Sequence, residues 1–260
     1  MYILYEVADR IATLTLNRPE AANAQNMDLL DELDAAWTRA AADDDVRVIV
    51  LRANGKHFSA GHDLSGGSAA PEKMTLEWIY SVESRRYLEY ALRWRNVPKP
   101  SIAAVQGRCI AGGLLLCWPC DLIVAAEDAL FSDPVVVMGI GGVEYHGHTW
   151  ELGARKAKEI LFTGRPVTAD EAERVGMVNK VVPREELDAQ TRELAETIAA
   201  MPPFGLRQAK RAVNQTLDIQ GFYAAIQSVF DTHQTGHGNA LSVSGYPVLA
   251  RLDEMKAKLR

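Results

Sequence analysis

The chain has 260 residues, of which 48% are hydrophobic and 24% are charged, a composition typical of a globular domain in water. Its 34 acidic residues outnumber its 28 basic residues, which gives a formal net charge of −6 at pH 7. This balance excludes the overall basic field that favours nucleic acid, so we expect no nucleic-acid partner.

The N-terminal sequence lacks the pattern of a secretory signal, because a charged residue, Glu6, stands close to its start. The longest apolar stretch, Cys109–Cys120, contains two glycines and a proline and is too short to cross a bilayer. It holds all three cysteines, an odd count that predicts no disulfide framework. Cys117 and Cys120 have no second cysteine pair, which favours buried side chains over a redox or zinc pair. We therefore expect a soluble, cytoplasmic protein without a membrane partner.

The first third of the chain predicts strands, a helix and a loop. β-Branched and aromatic residues predict strands at Tyr2–Val7 and Arg10–Leu16, joined by a hairpin turn. Asn26 is expected to cap a helix whose apolar residues recur at helical spacing. A buried strand follows at Val46–Leu51. The stretch Gly55–Ser68 is rich in glycine and serine, which predicts a loop of the kind that often carries function.

The middle of the chain continues this alternation of helix and strand. A long amphipathic helix is predicted over Thr75–Trp94, and a strand over Ser101–Val105 follows two prolines. Two more short strands are expected at Asp121–Ala126 and Leu130-Phe131. Alternation of this kind predicts an α/β architecture.

Beyond Pro183 the pattern is helical only. Helices are predicted over 185–200, 203–217, 220–235 and 239–258. We expect residues 1–200 to form the core with the ligand site, and residues 201–260 to form a helical subdomain for oligomerisation. Its apolar side chains would otherwise be exposed, which favours packing on a second subunit. These side chains are Phe222, Ile226, Val229 and Phe230.

Two glycine-containing segments are candidates for binding a ligand through the backbone. In the first, 56–64, Gly61 and its small neighbours permit a bend that leaves an N–H pointing at a ligand. In the second, 104–114, Gly112 and Gly113 open a helix, whose first N–H groups lack internal partners. Two such donors on one carbonyl oxygen form an oxyanion hole, which stabilises an enolate. Each segment alone also fits a structural role, as a surface turn or as close helix packing.

Together, the two segments make the chain resemble the crotonase superfamily, the enoyl-CoA hydratase/isomerase family. The resemblance covers nearly the whole chain and rests on four further motifs. These are Asn17-Arg18-Pro19-Glu20 with Asn23-Ala24, Cys120-Asp121, Phe131-Ser132-Asp133-Pro134, and a block from Thr163-Gly164 to Val181-Val182. It implies a crotonase-type spiral of repeated ββα units with a helical C-terminal subdomain, assembled as a homotrimer or a dimer of trimers.

The resemblance also implies roles for single residues. The N–H groups of His62 and Gly112 would form the oxyanion hole for an acyl-CoA thioester. Coenzyme A would then be part of the substrate, with no permanently bound cofactor. Ala60 and Leu64 would lie near the adenine and pantetheine parts. The full set of expected coenzyme A contacts is Arg18, Ala22, Ala60, Asp63, Leu64 and Gly113.

Two departures from the family concern the phosphates of coenzyme A. Relatives often carry Lys or Arg where this chain has Ala21-Ala22 and Ser65-Gly66. Arg18, Lys56 and Lys210, or a neighbouring subunit, are candidate replacements. Weak affinity for free coenzyme A is therefore expected.

Two further departures concern the reaction. The family's hydratases use two glutamates to hold water and move its protons, and this chain has Leu115 and Val135 at those positions. Neither side chain can take a proton, so ordinary hydration is not expected.

The loop 139–148 offers a substitute carboxylate, Glu144, with Tyr145 and His146 as further proton-transfer groups. Some relatives, among them a diene isomerase and an aromatic dehalogenase, use an aspartate in this loop. The alternative is that Glu144 is a solvated loop residue without a catalytic role.

Histidine pairs and a glycine pair also invite other interpretations. His146-x-His148 and the i,i+4 pair His233 and His237 lack a third or fourth ligand in the sequence, so no metal site is predicted. A dinucleotide motif at Gly139-x-Gly141 fails, because its third glycine position holds a glutamate.

We therefore expect an enzyme that stabilises an acyl-CoA enolate and catalyses isomerisation, hydrolysis or carbon–carbon cleavage. Two alternatives from other classes stay open. One is a non-catalytic acyl-CoA-binding protein, which the loss of both glutamates favours. The other is a structural oligomer.

Overall fold

The computed structural model describes residues 1–64, 74–250, 253–254 and 257. The Ser65-Gly66 pair and most of the end of the helix predicted over 239–258 lie outside the described residues. The strands are β1 (Ile3–Ala8), β2 (Ile11–Leu16), β3 (Val48–Ala53), β4 (Ser101–Val105), β5 (Arg108–Ile110), β6 (Leu122–Ala126), β7 (Leu130–Ser132), β8 (Val167–Thr168) and β9 (Lys180–Val182). The α-helices are α1 (Met27–Ala42), α2 (Leu76–Glu83), α3 (Tyr90–Arg95), α4 (Leu114–Cys117), α5 (His148–Thr163), α6 (Ala169–Val175), α7 (Leu187–Ala199), α8 (Pro203–Ile219) and α9 (Phe222–Ser244).

The strands form two sheets. The larger has the order β1-β2-β3-β4-β6-β9, in which β1 and β2 form an antiparallel hairpin and every later pairing is parallel. The smaller has the order β5-β7-β8. Crossover helices connect the parallel strands, as parallel pairing requires. The predicted α/β class with a helical C-terminal region is confirmed.

The larger sheet is covered on both faces, so its strands alternate between two cores. In β3, Ile49 and Leu51 join the core that contains α1, whereas Val48 and Val50 join a second core with Leu187 of α7. Burial on both faces explains why the sequence of this strand is apolar without alternation.

The helix predicted over Thr75–Trp94 is present, but its hydrogen bonding changes midway. The Thr75 hydroxyl caps α2 by accepting the Trp78 N–H at 3.2 Å. Between α2 and α3, the segment Ser84–Glu89 is π-helical. Insertions of this kind are frequent at functional sites.

The C-terminal region corrects two predictions. The helices predicted over 220–235 and 239–258 are one continuous helix, α9, which ends at Gly245 in the left-handed conformation (φ 69°). Gly236 lies within this helix. A Cβ at this position would come within 3.0 Å of the Gly139 carbonyl oxygen, so the absence of a side chain permits close packing of α9 against Gly139.

Three of the four apolar side chains of α9 named above are buried in this chain's own core, and Val229 is half-buried. Phe222, Ile226 and Phe230 are at most 3% exposed, and the Phe230 ring lies edge-on to Tyr80 of α2 at 5.2 Å. The expectation that these three side chains would be exposed without a second subunit is therefore wrong. The strongly exposed apolar side chains of α8 are Phe204, Val213 and Ile219. The division at residue 200 stays a prediction.

Two further expectations concern the cysteines and the membrane. Cys109, Cys117 and Cys120 are free and buried, as predicted, and burial raises the pKa of the last two thiols well above the ordinary value. No helix within the described ranges has the length and hydropathy needed to span a bilayer.

Candidate active site

The two glycine-containing segments lie side by side, and Gln25 lies against the first of them. The Ser59 N–H donates to the Arg108 carbonyl oxygen at 3.1 Å, and the Ile110 N–H donates to the Ser59 carbonyl oxygen at 3.0 Å. On the other side, the Gln25 N–H donates to the Gly61 carbonyl oxygen at 2.8 Å. Main-chain hydrogen bonds thus join three sequence-distant segments into one backbone frame, defined as residues 25, 59–62 and 108–113.

Gly61 has the left-handed backbone conformation (φ 86°), in which a side chain is strained. A Cβ at this position would lie 2.7 Å from the Ile110 carbonyl oxygen and 3.2 Å from the Gly112 nitrogen. Across residues 1–64 and 74–250, the N–H groups of His62 and Gly112 donate to no protein acceptor. The frame therefore holds two available donors in neighbouring segments.

The His62 imidazole lies directly over Gly112. A Cβ on Gly112 would come within 2.5 Å of His62 Cδ2 and 2.7 Å of His62 Nε2. The same ring stacks on Tyr87 of the π-helical segment, with the ring centroids 4.1 Å apart. The ring is confined between these residues, so position 112 accommodates only glycine without displacement of His62.

Glu144 is 1% exposed, so the structure excludes the solvated-loop alternative. Its Oε2 lies 3.6 Å from His62 Nε2, and its Oε1 lies 3.6 Å from His233 Nε2. In the described part of the chain, three buried atoms of this region have no hydrogen-bond partner, namely Gln25 Oε1, His62 Nε2 and Glu144 Oε2. Unpartnered buried polar atoms are costly, so three of them together indicate a polar ligand.

A buried contact between Asp133 and His148 holds the loop that carries Glu144. The Asp133 and His148 side chains are fully buried, with His148 Nε2 2.9 Å from Asp133 Oδ2. The same Asp133 oxygen accepts the Val143 N–H at 2.8 Å. Burial raises the pKa of Asp133, but the interaction with His148 outweighs it and holds that pKa below its ordinary value. The ionised carboxylate therefore fixes the residue directly before Glu144.

The two other proton-transfer candidates of this loop, Tyr145 and His146, are less suited than Glu144 to act as a charged base. The buried Tyr145 ring packs against Phe222, with centroids 6.2 Å apart, and burial raises the pKa of its hydroxyl. Burial and the neighbouring His148 lower the pKa of His146 to about 4. Both side chains are therefore neutral near pH 7, and Glu144 is the carboxylate of this loop.

A cluster that sequence reasoning missed lies beside Glu144. Glu83, at the end of α2, meets His233 and His237 of α9, and we call these three residues the acid–histidine cluster. His233 Nε2 lies 3.2 Å from Glu83 Oε2 and 3.1 Å from His237 Nε2. The i,i+4 spacing of the histidines was the available signal, but the third member is distant in the sequence.

Charge shifts the pKa values within this cluster. Burial lowers the pKa of His233, but the carboxylates of Glu144 and Glu83 outweigh it and raise that pKa to about 9. Burial raises the pKa of Glu83, but hydrogen bonds with His233 and His237 hold it far below its ordinary value. Glu83 is therefore ionised and attracts positive charge to the space between the three side chains.

The expected coenzyme A contacts adjoin the backbone frame. Arg18 Nη1 lies 2.6 Å from Asp63 Oδ2, and the Ala60 N–H donates to the Ala22 carbonyl oxygen at 2.9 Å. Leu64 is 52% exposed, and Gly113 is buried beside Ser59. The arginine thus already pairs with an acidic neighbour.

Lys210, a candidate replacement for the missing basic residues, lies elsewhere. Its Nζ donates to Asp121 Oδ2 at 2.8 Å, and Asp121 also accepts the N–H of Ser101, the first residue of β4. Residues 108–113 of the backbone frame follow the other end of β4, at Val105. Lys210 therefore does not adjoin the frame of its own chain.

The two positions of the family's glutamates are apolar. Leu115 is fully buried in α4. Val135 is half-buried and opens the 3₁₀ turn Val135–Met138. Neither can exchange a proton.

Comparison with known proteins agrees with this fold. The family model described as enoyl-CoA hydratase/isomerase matches residues 6–238. The crystal structure of a probable enoyl-CoA hydratase from Mycobacterium smegmatis has a TM-score of 0.93 and 81% identity, over 96% of this chain and 99% of that chain. One from Mycobacterium thermoresistibile has a TM-score of 0.92 and 82% identity, over 95% and 99%. “Putative enoyl-CoA hydratase EchA13” of Mycobacterium tuberculosis is 46% identical, over 94% of this chain and 83% of its own length. The chain therefore belongs to the enoyl-CoA hydratase/isomerase family of the crotonase superfamily.

Proposed function

We propose that this chain is an enzyme that acts on an acyl-CoA thioester through an enolate bound by the N–H groups of His62 and Gly112. The observation that carries the proposal is the position of Glu144, a buried carboxylate with Oε2 3.6 Å from His62 Nε2. The relatives named enoyl-CoA hydratases support the substrate class.

In the proposed reaction, the thioester carbonyl oxygen accepts both N–H groups. Glu144 removes a proton from the acyl α-carbon, and the electrons of the broken C–H bond move to the carbonyl oxygen. The fixed N–H dipoles stabilise the negative charge where it develops. In a 3-enoyl thioester, return of the proton to the γ-carbon shifts the double bond to the 2-position. This isomerisation needs one carboxylate, and the chain offers one at this point.

Hydration needs a carboxylate pair that orients water and transfers its protons. Leu115 and Val135 remove that pair, which is why we rank isomerisation above hydration. The His62 ring over Gly112 also narrows the space for the acyl group.

The assembly and location are proposals as well. A homotrimer or dimer of trimers fits the exposed apolar side chains of α8, which are Phe204, Val213 and Ile219. Light scattering after size-exclusion chromatography measures the subunit number directly. A cytoplasmic location fits the free, buried cysteines.

A second candidate is a non-catalytic acyl-CoA-binding protein. The apolar residues Leu115 and Val135 favour it, because binding needs only the backbone frame and the coenzyme A contacts. The two candidates differ in whether the acyl α-proton is exchanged.

The test is incubation in D₂O with a panel of 2-enoyl-, 3-enoyl-, dienoyl- and 3-ketoacyl-CoA thioesters, followed by mass spectrometry. We expect α-carbon deuteration and conversion of the 3-enoyl thioester, with slower hydration of crotonyl-CoA. Tight binding without exchange or turnover on any thioester would support the binding protein instead. Crotonyl-CoA hydration faster than isomerisation would contradict the proposed reaction.

A further inference from the structure

We propose that Glu83, His233 and His237 bind a divalent transition-metal ion of the zinc class. The sequence alone predicts no metal site, because the two histidines on α9 lack a third ligand there. The structure supplies that ligand from the end of α2, 150 residues away in the chain from His233. One ligand atom from each of the three residues lies within 4.8 Å of the others.

The hydrogen bonds of the outer ring nitrogens determine where the lone pairs of the histidines point. His233 Nδ1 lies 2.7 Å from the Gly142 carbonyl oxygen, and His237 Nδ1 lies 2.7 Å from the Pro247 carbonyl oxygen. A carbonyl oxygen only accepts, so both Nδ1 atoms carry the hydrogen. In a neutral imidazole, the remaining nitrogen then has a free lone pair.

The two Nε2 atoms face each other, and each presents a lone pair to the same point when its ring is neutral. They are 3.1 Å apart, and the Glu83 carboxylate oxygens lie 3.2 Å from His233 Nε2 and 3.5 Å from His237 Nε2. A proton on one Nε2 bridges only two of the three groups, whereas a metal ion that takes its place binds all three at once.

The separations suit a metal ion. With Zn–N and Zn–O distances of about 2.0 to 2.1 Å, the ligand atoms of a tetrahedral site lie about 3.3 Å apart. The Nε2–Nε2 separation of 3.1 Å and the 3.2 Å between His233 Nε2 and Glu83 Oε2 are close to that value, and the second carboxylate oxygen, Oε1, lies 3.5 Å from His237 Nε2. Two imidazoles and one carboxylate also match the ligand preference of zinc and related divalent ions.

The surroundings hold each ligand in place. The carbonyl oxygens of Gly142 and Pro247 orient the rings, and Gln234 Nε2 donates to Glu83 Oε2 at 2.7 Å. Supporting hydrogen bonds of this kind are typical of metal sites. Three protein ligands leave a tetrahedral ion one further position, and the Glu144 carboxylate lies 3.6 Å from His233 Nε2.

Metal binding by the full, untagged chain is the test, because a polyhistidine tag would itself bind zinc. We expect about one zinc per chain after equilibrium dialysis, measured by elemental analysis. Cobalt(II) in place of zinc should give the visible absorption of a tetrahedral site. Less than about a tenth of an equivalent of zinc, with no cobalt absorption, would overturn the proposal in favour of a shared proton.

Variants locate the ion. E83Q and H237Q should each weaken zinc binding at least about 100-fold, and the amide of E83Q keeps the shape of the carboxyl group. H57Q is the matched control, since it removes a half-buried histidine outside the cluster, and it should bind zinc like the parent chain. Circular dichroism checks that each variant is folded. Unchanged zinc binding by both folded cluster variants, or equal loss in H57Q, would overturn the assignment.

Discussion

The backbone frame and the acid–histidine cluster lie on either side of Glu144, which is 3.6 Å from His62 and from His233, but they are built differently. Main-chain hydrogen bonds between neighbouring segments hold the frame. Gly61 and Gly112 are the positions where an added Cβ would clash with neighbouring atoms. Side chains from α2 and α9 form the cluster, and the loop before α5 supplies Glu144 beside it. In the proposed reaction, binding of the carbonyl oxygen depends on backbone geometry, whereas proton transfer depends on tertiary packing of charged groups. Substitutions in the two regions should therefore affect different steps.

Removal of the Glu144 charge should have the largest effect. We expect E144Q to lower α-proton exchange and isomerisation at least about 100-fold, because general base catalysis contributes about that much or more. The dissociation constant for the acyl-CoA should change less than about threefold, since the frame is intact. Stopped-flow kinetics and isothermal titration calorimetry separate the two quantities.

E151Q is the matched control for this change. Glu151 lies in the first turn of α5, and no contact joins it to His62 or Glu144 within the described residues. Its substitution should leave the exchange rate within about twofold of the parent. A loss of exchange in E151Q as large as that in E144Q would show that stability, and not the position of Glu144, determines the rate.

A substitution in the backbone frame is expected to have a smaller effect, on acyl-CoA affinity instead of on the reaction rate. The new Cβ of G112A would lie 2.5 Å from His62 Cδ2, so the confined His62 ring must move. We expect acyl-CoA affinity to fall about tenfold, or about 1.4 kcal/mol. G205A, on α8, is the control because a Cβ there meets no atom within 4 Å. Titration calorimetry checks both variants, and equal affinity of G112A and the parent would contradict the contact.

Sequence reasoning succeeded where chemistry follows from a local pattern. Gly61 and Gly112 mark the frame because a bend and a helix start need particular backbone conformations, and these leave a signal within a few residues. The strand Ser101–Val105 was predicted at its observed bounds because five consecutive apolar or small residues follow two prolines.

Prediction from the sequence failed where tertiary packing determines the structure. The sequence predicted two helices, over 220–235 and 239–258, but α9 is continuous through Gly236, which packs closely against Gly139. That continuity brings His233 and His237 to Glu83, a pairing that no local spacing encodes. Glu144 was a candidate from its place in the loop, whereas its burial depends on α9 and on the Asp133–His148 pair.

A half-buried carboxyl group outside both regions affects stability alone, which sharpens the comparison. Burial raises the pKa of Glu151 to about 7, while Arg95 opposes the shift. The folded chain then binds a proton more tightly than the unfolded chain, so this group contributes stability below about pH 4.5 and loses it as pH rises through about 7. We expect E151Q to gain about 2 to 3 kcal/mol relative to the parent between pH 5 and pH 8.5, because the glutamine carries no charge.

Urea denaturation of the parent and E151Q at both pH values measures this difference. E6Q, which alters an exposed glutamate of β1, is the control and should show no such pH dependence. A parent chain whose stability relative to E151Q rises with pH would show that Glu151 is ionised and stabilised in the folded state.

The separation of carbonyl binding from proton transfer is tested most directly by infrared difference spectroscopy of a thioester labelled with ¹³C at the carbonyl. Two N–H donors should polarise the bound carbonyl and shift its stretching band to lower wavenumber than in water. We predict the same shift in the parent and in E144Q, although only the parent exchanges the α-proton. An unshifted band in the parent, or a shift that disappears in E144Q, would contradict the account.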